Sequence, residues 1–224
     1  MQALQETIGR PNSELDRVQV RADGALVPAT STSDLVQPVV LGVAGTATAV
    51  ANSLSPRMMQ AAFESLGLDA HYVPLALRER SAAKALRGLP RLGFRGCNVT
   101  MPFKRLAAEV AHVRSPRVER SGVANTLVVE EDGTIRAEAT DGIAVLGAIA
   151  DRGVSLEGAH VVLIGAGGVA TELALACADA GCARIDVWNR TRARAEELVR
   201  RLHDGAPDLE LQVHDRMPIR QPAH

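Results

Sequence analysis

The stretch "VVLIGAGGVA", residues 161–170, constrains the fold more than any other in the chain. An apolar run ends in Gly165-x-Gly167-x-x-Ala170 and passes directly into "TELALACADAG". Such glycines permit a tight turn and let a pyrophosphate approach the N–H groups at a helix N-terminus. A strand before the turn and a helix after it separate this pattern from a chance run of glycines. The segments around it extend the pattern: "AHVVLIG" and "RIDVWNR" read as strands, "TRARAEELVRRLHDG" as a second helix and "LELQVHD" as a last strand. Strands alternating with helices at this spacing predict a parallel α/β sheet.

The end of the second strand bears on the cofactor. An NAD site usually carries Asp or Glu there, ~20 residues after the glycines, to hold the ribose hydroxyls. This chain has Asn189-Arg190-Thr191 instead, with Arg194 one helical turn on and Asp186 earlier, within the strand. Guanidinium groups and a hydroxyl suit a 2′-phosphate, so NADP is the expected cofactor. A solvated basic helix start would produce the same arginines.

Upstream, residues 1–37 are polar and carry Pro11, Pro28 and a "TSTSD" run, which predicts a loose extension with a short hairpin around "VQVRADGALV". "PVVLGVAG" reads as a buried strand. "SLSPRMMQAAFESLGL" reads as a helix capped by Ser55, with Pro56 in its first turn and Gly67 as its stop. "DAHYVPLAL" and "FRGCNVT" read as strands, and "SAAKALRGLPRLG" as a short helix. "PFKRLAAEVA" reads as a helix with Pro102 in its first turn, "ANTLVVEEDGTIRAEAT" as a hairpin around Asp132-Gly133, and "DGIAVLGAIADRG" as a bridging helix.

Composition removes several classes. The net charge of -1 lacks the footprint of a nucleic-acid binder, and 2% aromatic residues cannot build base-stacking platforms. Cys97, Cys177 and Cys182 lack metal or redox spacing, which suits buried thiols in a reducing cytosol and no metal site. No apolar run reaches the ~18 residues of a membrane span, and no signal peptide opens the chain, so a soluble cytoplasmic protein is expected.

"GCNVTMPFK", residues 96–104, places Asn98, Thr100 and Lys104 close together around a proline. A pocket that holds a small polar molecule and hands it a proton could use each of them. Together with "SLSP" (53–56), "ANT" (124–126), "TDG" (140–142), "GAGGVA" (165–170) and "NRT" (189–191), in that order, the stretch resembles the shikimate dehydrogenase family from about residue 39 onward. The resemblance implies an α/β protein with an N-terminal substrate-binding domain (38–142) and a Rossmann-type NADP-binding domain (143–224) that reduces 3-dehydroshikimate to shikimate. It implies Lys104 and Asp141 as the catalytic pair, and Ser53, Ser55, Thr100 and Asn125 as substrate-holding residues. Gly165, Ala166, Gly167, Gly168, Val169, Asn189, Arg190, Thr191 and Arg194 would form the cofactor site, and a homodimer is compatible with it. Chemically, a lysine ammonium can stabilise and protonate the oxygen of a ketone receiving hydride, and a neighbouring carboxylate can orient it. For Asp141 a helix N-cap is the plain alternative.

The sequence also departs from the family. Asn52 stands where the family has histidine, Met58-Met59-Gln60 replaces "MHN", and Ala139 replaces the asparagine usual before Thr-Asp. "AGTATAVAN" is longer than the family's proline-containing turn. After "LELQVHD" the family continues with further strands and helices, so only a partial Rossmann domain, one mononucleotide-binding half, is expected here. Two other readings stay open: a non-catalytic ligand-binding relative, and an NAD-dependent quinate/shikimate dehydrogenase.

Overall fold

Besides a two-stranded hairpin, two larger sheets carry the described residues, a mixed one followed by a parallel one. The computed structural model describes residues 38–206 and 208–217, together with two short strands nearer the N-terminus. Those strands, β1 (Val18–Val20) and β2 (Leu26–Pro28), pair antiparallel as the expected hairpin. The remainder of residues 1–37 lies outside the described residues.

The first sheet contains β3 (Val39–Gly45), β4 (Ala70–Ala76), β5 (Phe94–Val99), β6 (Val113–Arg114), β7 (Thr126–Val129) and β8 (Ile135–Glu138), in the order β4-β3-β5-β7-β8-β6. β3 runs parallel to both β4 and β5, linked through α1 (Ala47–Ala51), α2 (Ser55–Ser65) and α3 (Glu79–Arg87). β7 runs antiparallel to β5 and to β8. The expected hairpin at Asp132-Gly133 joins β7 to β8, and β6 closes the sheet parallel to β8; Gly133 has φ 82°, and the Thr134 N–H donates to Asp132 Oδ1 at 2.8 Å. One sheet face packs Phe63 of α2 against Val43, Ala70 and Tyr72. The main core gathers Phe94, Leu127, Ile135 and Ala137 with Ala82 and Leu86 of α3 and Ala107 of α4 (Lys104–Val110).

The second sheet is fully parallel, in the order β11-β10-β9: β9 (His160–Ile164), β10 (Arg184–Trp188) and β11 (Glu210–His214). Its crossovers are α7 (Gly168–Asp179) and α8 (Arg192–Gly205), following α5 (Pro116–Ser121) and α6 (Asp141–Ala150) earlier in the chain. Alternation sends Leu163, Ile185 and Val187 toward Leu175, Cys177, Leu198 and Leu202 of these two helices. The other face carries exposed Val162 and Ile164 and a buried Asp186, which Arg184 Nε (2.7 Å), His214 (2.9 Å) and His160 (3.0 Å) surround.

Several local expectations change. The N-cap of α2 is Leu54, and Ser53 Oγ accepts the Ser55 N–H at 3.2 Å, so Ser55 does not cap. Pro102 precedes α4, in a turn containing a cis Met101–Pro102 bond, and the helix starts at Lys104. Asp141 is the first residue of α6 and Thr140 its cap position, which frees the Asp141 carboxylate for other partners. "AGTATAVAN" holds α1 rather than an extended turn; Thr46 Oγ1 accepts the Ala49 N–H at its start. Residues 112–123, for which no element was expected, form β6 and α5, the latter starting at Pro116 and stopped by Gly122 at φ 68°.

The two sheets meet through helices. α6 packs along α7, and a methyl group on Gly142 would lie 2.5 Å from the Glu172 carbonyl oxygen. Backbone cannot yield as a side chain does, so Gly142→Ala is expected to cost about 1–3 kcal/mol. A lower midpoint of urea unfolding at unchanged slope would register this; an unchanged midpoint would mean that the helices part freely. Arg120 paired with Asp179 (2.8 Å) and Arg201 donating to the Ser121 carbonyl (3.1 Å) cross the same joint.

Candidate functional site

Topology brings the sequence-predicted residues to one end of the first sheet. β3 and β5 are parallel, so Ser53, Ser55, Thr100 and Lys104 all follow carboxyl ends pointing the same way. β7 is antiparallel to β5, so its beginning, with Asn125 just before it, lies at that end too. β8 returns beside β7 and delivers Thr140 and Asp141.

The Lys104 ammonium forms an ion pair and hydrogen bond with Asp141 Oδ2, and Lys104 is only 9% exposed. Asp141 Oδ1 accepts from Asn125 Nδ2 at 2.7 Å. The same amide donates to Thr140 Oγ1 (2.8 Å) and accepts the Thr140 N–H (2.8 Å). Asn125 is buried, and in this geometry it fixes the orientation of Asp141. Asn98 has a comparable task one strand away: its Oδ1 accepts the Tyr72 hydroxyl (2.6 Å) and its Nδ2 donates to Thr126 Oγ1 (3.0 Å). The half-buried Thr100 donates its N–H to the Ala44 carbonyl at 2.8 Å. At the departures, Asn52 is exposed and donates to the Thr48 carbonyl (3.1 Å), while Ala139 is buried in the apolar core.

One residue escaped the sequence reading. Glu172, on α7, is 5% exposed; its Oε2 accepts the Asp141 N–H at 3.0 Å and its Oε1 lies 3.8 Å from Lys104 Nζ. Burial raises its carboxyl above the ordinary carboxylate value, the Lys104 ammonium opposes this, and the Asp141 charge adds to it. The available signal was one acid among the apolar residues of "VATELALACA".

The glycine turn stands across from Lys104. Gly165 has φ 116°, a conformation that side chains disfavour, and its N–H donates to the Trp188 carbonyl at 2.7 Å. Gly167 is the N-cap of α7, with Gly168 its first residue, so the free N–H groups of the first turn face outward for an anion. Asn189 clips the turn to the next strand: its Oδ1 accepts the Ala166 N–H (3.2 Å), and its Nδ2 donates to the Thr191 carbonyl (2.8 Å). Val169, Arg190, Thr191 and Arg194 are exposed.

A cleft of about 420 Å³ separates these groups, within the range of small-molecule sites. Met101 and Lys104 border it on one side, Ala166, Gly167 and Gly168 on the other, with Arg194 and Arg201 along its rim. Ser53, Ser55 and Thr100 lie at the same sheet end but do not line it. Glycines, helix N–H groups and arginines fit a dinucleotide phosphate chain. Among the described residues no cluster suits a metal ion. Cys97, Cys177 and Cys182 are free and buried, and burial pushes the Cys97 thiol up to about 12.

Comparison with known proteins adds to this geometry. A family model described as the shikimate dehydrogenase substrate binding domain matches residues 46–127, and one described as shikimate / quinate 5-dehydrogenase matches residues 148–215. The shikimate dehydrogenase (NADP(+)) of Dinoroseobacter shibae is 38% identical over 151 residues, covering 66% of this chain and 54% of the relative. That of Rubrobacter xylanophilus is 41% identical over 153 residues, covering 68% and 54%. The chain spans about half the length of these relatives. The structure of shikimate 5-dehydrogenase from Thermus thermophilus, in complex with NADP(H) and shikimate, matches with a TM-score of 0.68 at 34% identity, covering 77% of this chain and 62% of that one.

Proposed function

Because this chain belongs to the shikimate dehydrogenase family, we propose that it catalyses the reversible, NADP-dependent reduction of 3-dehydroshikimate to shikimate. One observation carries the proposal: a buried Lys104, ion-paired with Asp141, on one wall of a cleft whose other wall is the glycine turn. In this reading residues 38–142 handle the substrate and 143–224 the nucleotide, and the reaction serves aromatic biosynthesis in the cytoplasm. Among the described residues no helix is long and apolar enough to cross a membrane.

The chain's own groups divide the work. NADPH, when bound, supplies the hydride. Negative charge then grows on the ketone oxygen, where the Lys104 ammonium stabilises it and delivers a proton. Asp141, fixed by Asn125, holds that ammonium in place. The hydroxyls of Ser53, Ser55 and Thr100 are suitable donors to a carboxylate entering at the same sheet end. Arg190 and Arg194 would receive the 2′-phosphate.

Steady-state oxidation of shikimate and of quinate, each with NADP and with NAD, tests the proposal. NADP-linked turnover of shikimate is the expected result. Shikimate binding without turnover would establish a non-catalytic relative instead, and a preference for NAD with quinate would replace both substrate and cofactor.

A further inference from the structure

No step above uses Glu172, yet it reaches the reacting pair from the nucleotide side of the cleft. It sits one helical turn beyond Gly168, where a methyl group would lie 3.3 Å from Lys104 Cδ, so turn, lysine and glutamate are contiguous. We propose that Glu172 is a positioning residue of the proton-transfer centre, anchoring the Asp141 backbone through one oxygen and holding the Lys104 ammonium charged through the other. The proposal deepens the assignment of Lys104 and Asp141 and rests on it.

Three observations support it. Oε2 is committed to the Asp141 N–H at 3.0 Å. Oε1 is buried without a hydrogen-bond partner among the described residues and lies 3.8 Å from Lys104 Nζ. A buried carboxylate is costly unless a cation faces it, and the surroundings leave Lys104 in that role. Arg117 and Arg120 of α5 and Asp179 of α7 border the small gap beside Glu172, but Arg120 is bound to Asp179 at 2.8 and 3.0 Å. Asp141 of α6 is the other charge facing the lysine. Two carboxylates thus share one ammonium.

The test reads the amine itself. Glu172→Gln keeps the volume and an acceptor for the Asp141 N–H but removes the charge. Acylation of Lys104 by trace acetic anhydride, resolved by mass spectrometry across pH 7 to 11 on the full chain, is expected to be about three- to tenfold faster in the variant near neutral pH. The ratio should fall toward one at high pH, where the amine is neutral in both proteins. Equal rates throughout, or a ratio that does not change with pH, would overturn the proposal, since altered exposure alone gives a constant ratio. If Glu172→Gln fails to fold, carbon-13 titration of the Glu172 carboxyl in the native chain and in Lys104→Met replaces it. Its midpoint should rise when the ammonium is removed, and an unmoved midpoint sinks the idea. Neither readout needs turnover, so a chain inactive on shikimate would count against the proposed function and leave this result standing.

Discussion

Lys104→Met is expected to lower shikimate turnover by about 10²- to 10⁴-fold while leaving NADP affinity essentially unchanged. Methionine keeps an apolar stem against Gly168, so the nucleotide wall of the cleft retains its shape. What disappears is the ammonium that, in the proposed reaction, would stabilise the growing oxyanion and supply its proton. The change also strands two carboxylates, Asp141 with a 30% exposed side chain and Glu172 with one only 2% exposed. Loss of one partner from a buried pair is costly, so the melting temperature must be compared before rates are interpreted. Asp141 retains its bond from Asn125, and Glu172 can relieve its own cost by taking up a proton, so a folded variant is expected. Turnover above about a third of the native rate would remove Lys104 from the chemistry, because a group that protonates in the transition state contributes far more.

Arg190→Ala is expected to weaken NADP binding about ten- to a hundredfold and to leave NAD binding nearly as it was. The figure follows from ~1.5–3 kcal/mol for a charged hydrogen bond to phosphate, and because Arg190 is exposed, the lower end applies as salt rises. Among the described residues, the carboxylate of β10 is engaged elsewhere. Asp186 lies inside β10; burial works against its charge, but bonds from Arg184, His214 and His160 outweigh burial and hold its carboxyl below the ordinary value. Isothermal titration with both nucleotides at one ionic strength would separate the outcomes. Equal losses would place Arg190 on the shared pyrophosphate or in the fold.

Much of this protein is legible in short windows. Gly165 announces a turn because its φ of 116° suits glycine, and the apolar runs on either side fix a strand and a helix. The hairpin at Asp132-Gly133 and the helix stop at Gly67, with φ 64°, are equally local. β6 and α5 were missed although Pro116 and Gly122, with φ 68°, bracket α5; neighbours also hold them, with Ser115 donating its N–H to the Ala137 carbonyl at 3.0 Å. The N-terminal signals at Ser55 and Pro102 were displaced for a related reason, since hydroxyls and prolines serve turns as readily as helix starts.

The site divides along the same line. The sequence by itself determined the residue types: a lysine, an aspartate, a glycine turn and arginines in place of an acid, each recognisable from order and neighbours. Tertiary structure decided their tasks. Asn125, expected to hold substrate, also hydrogen-bonds Thr140 and Asp141, and Glu172 joins the pair because Gly142 lets α6 and α7 approach. Burial and charge pairing act between groups brought close in space, at distances that no window along the chain contains.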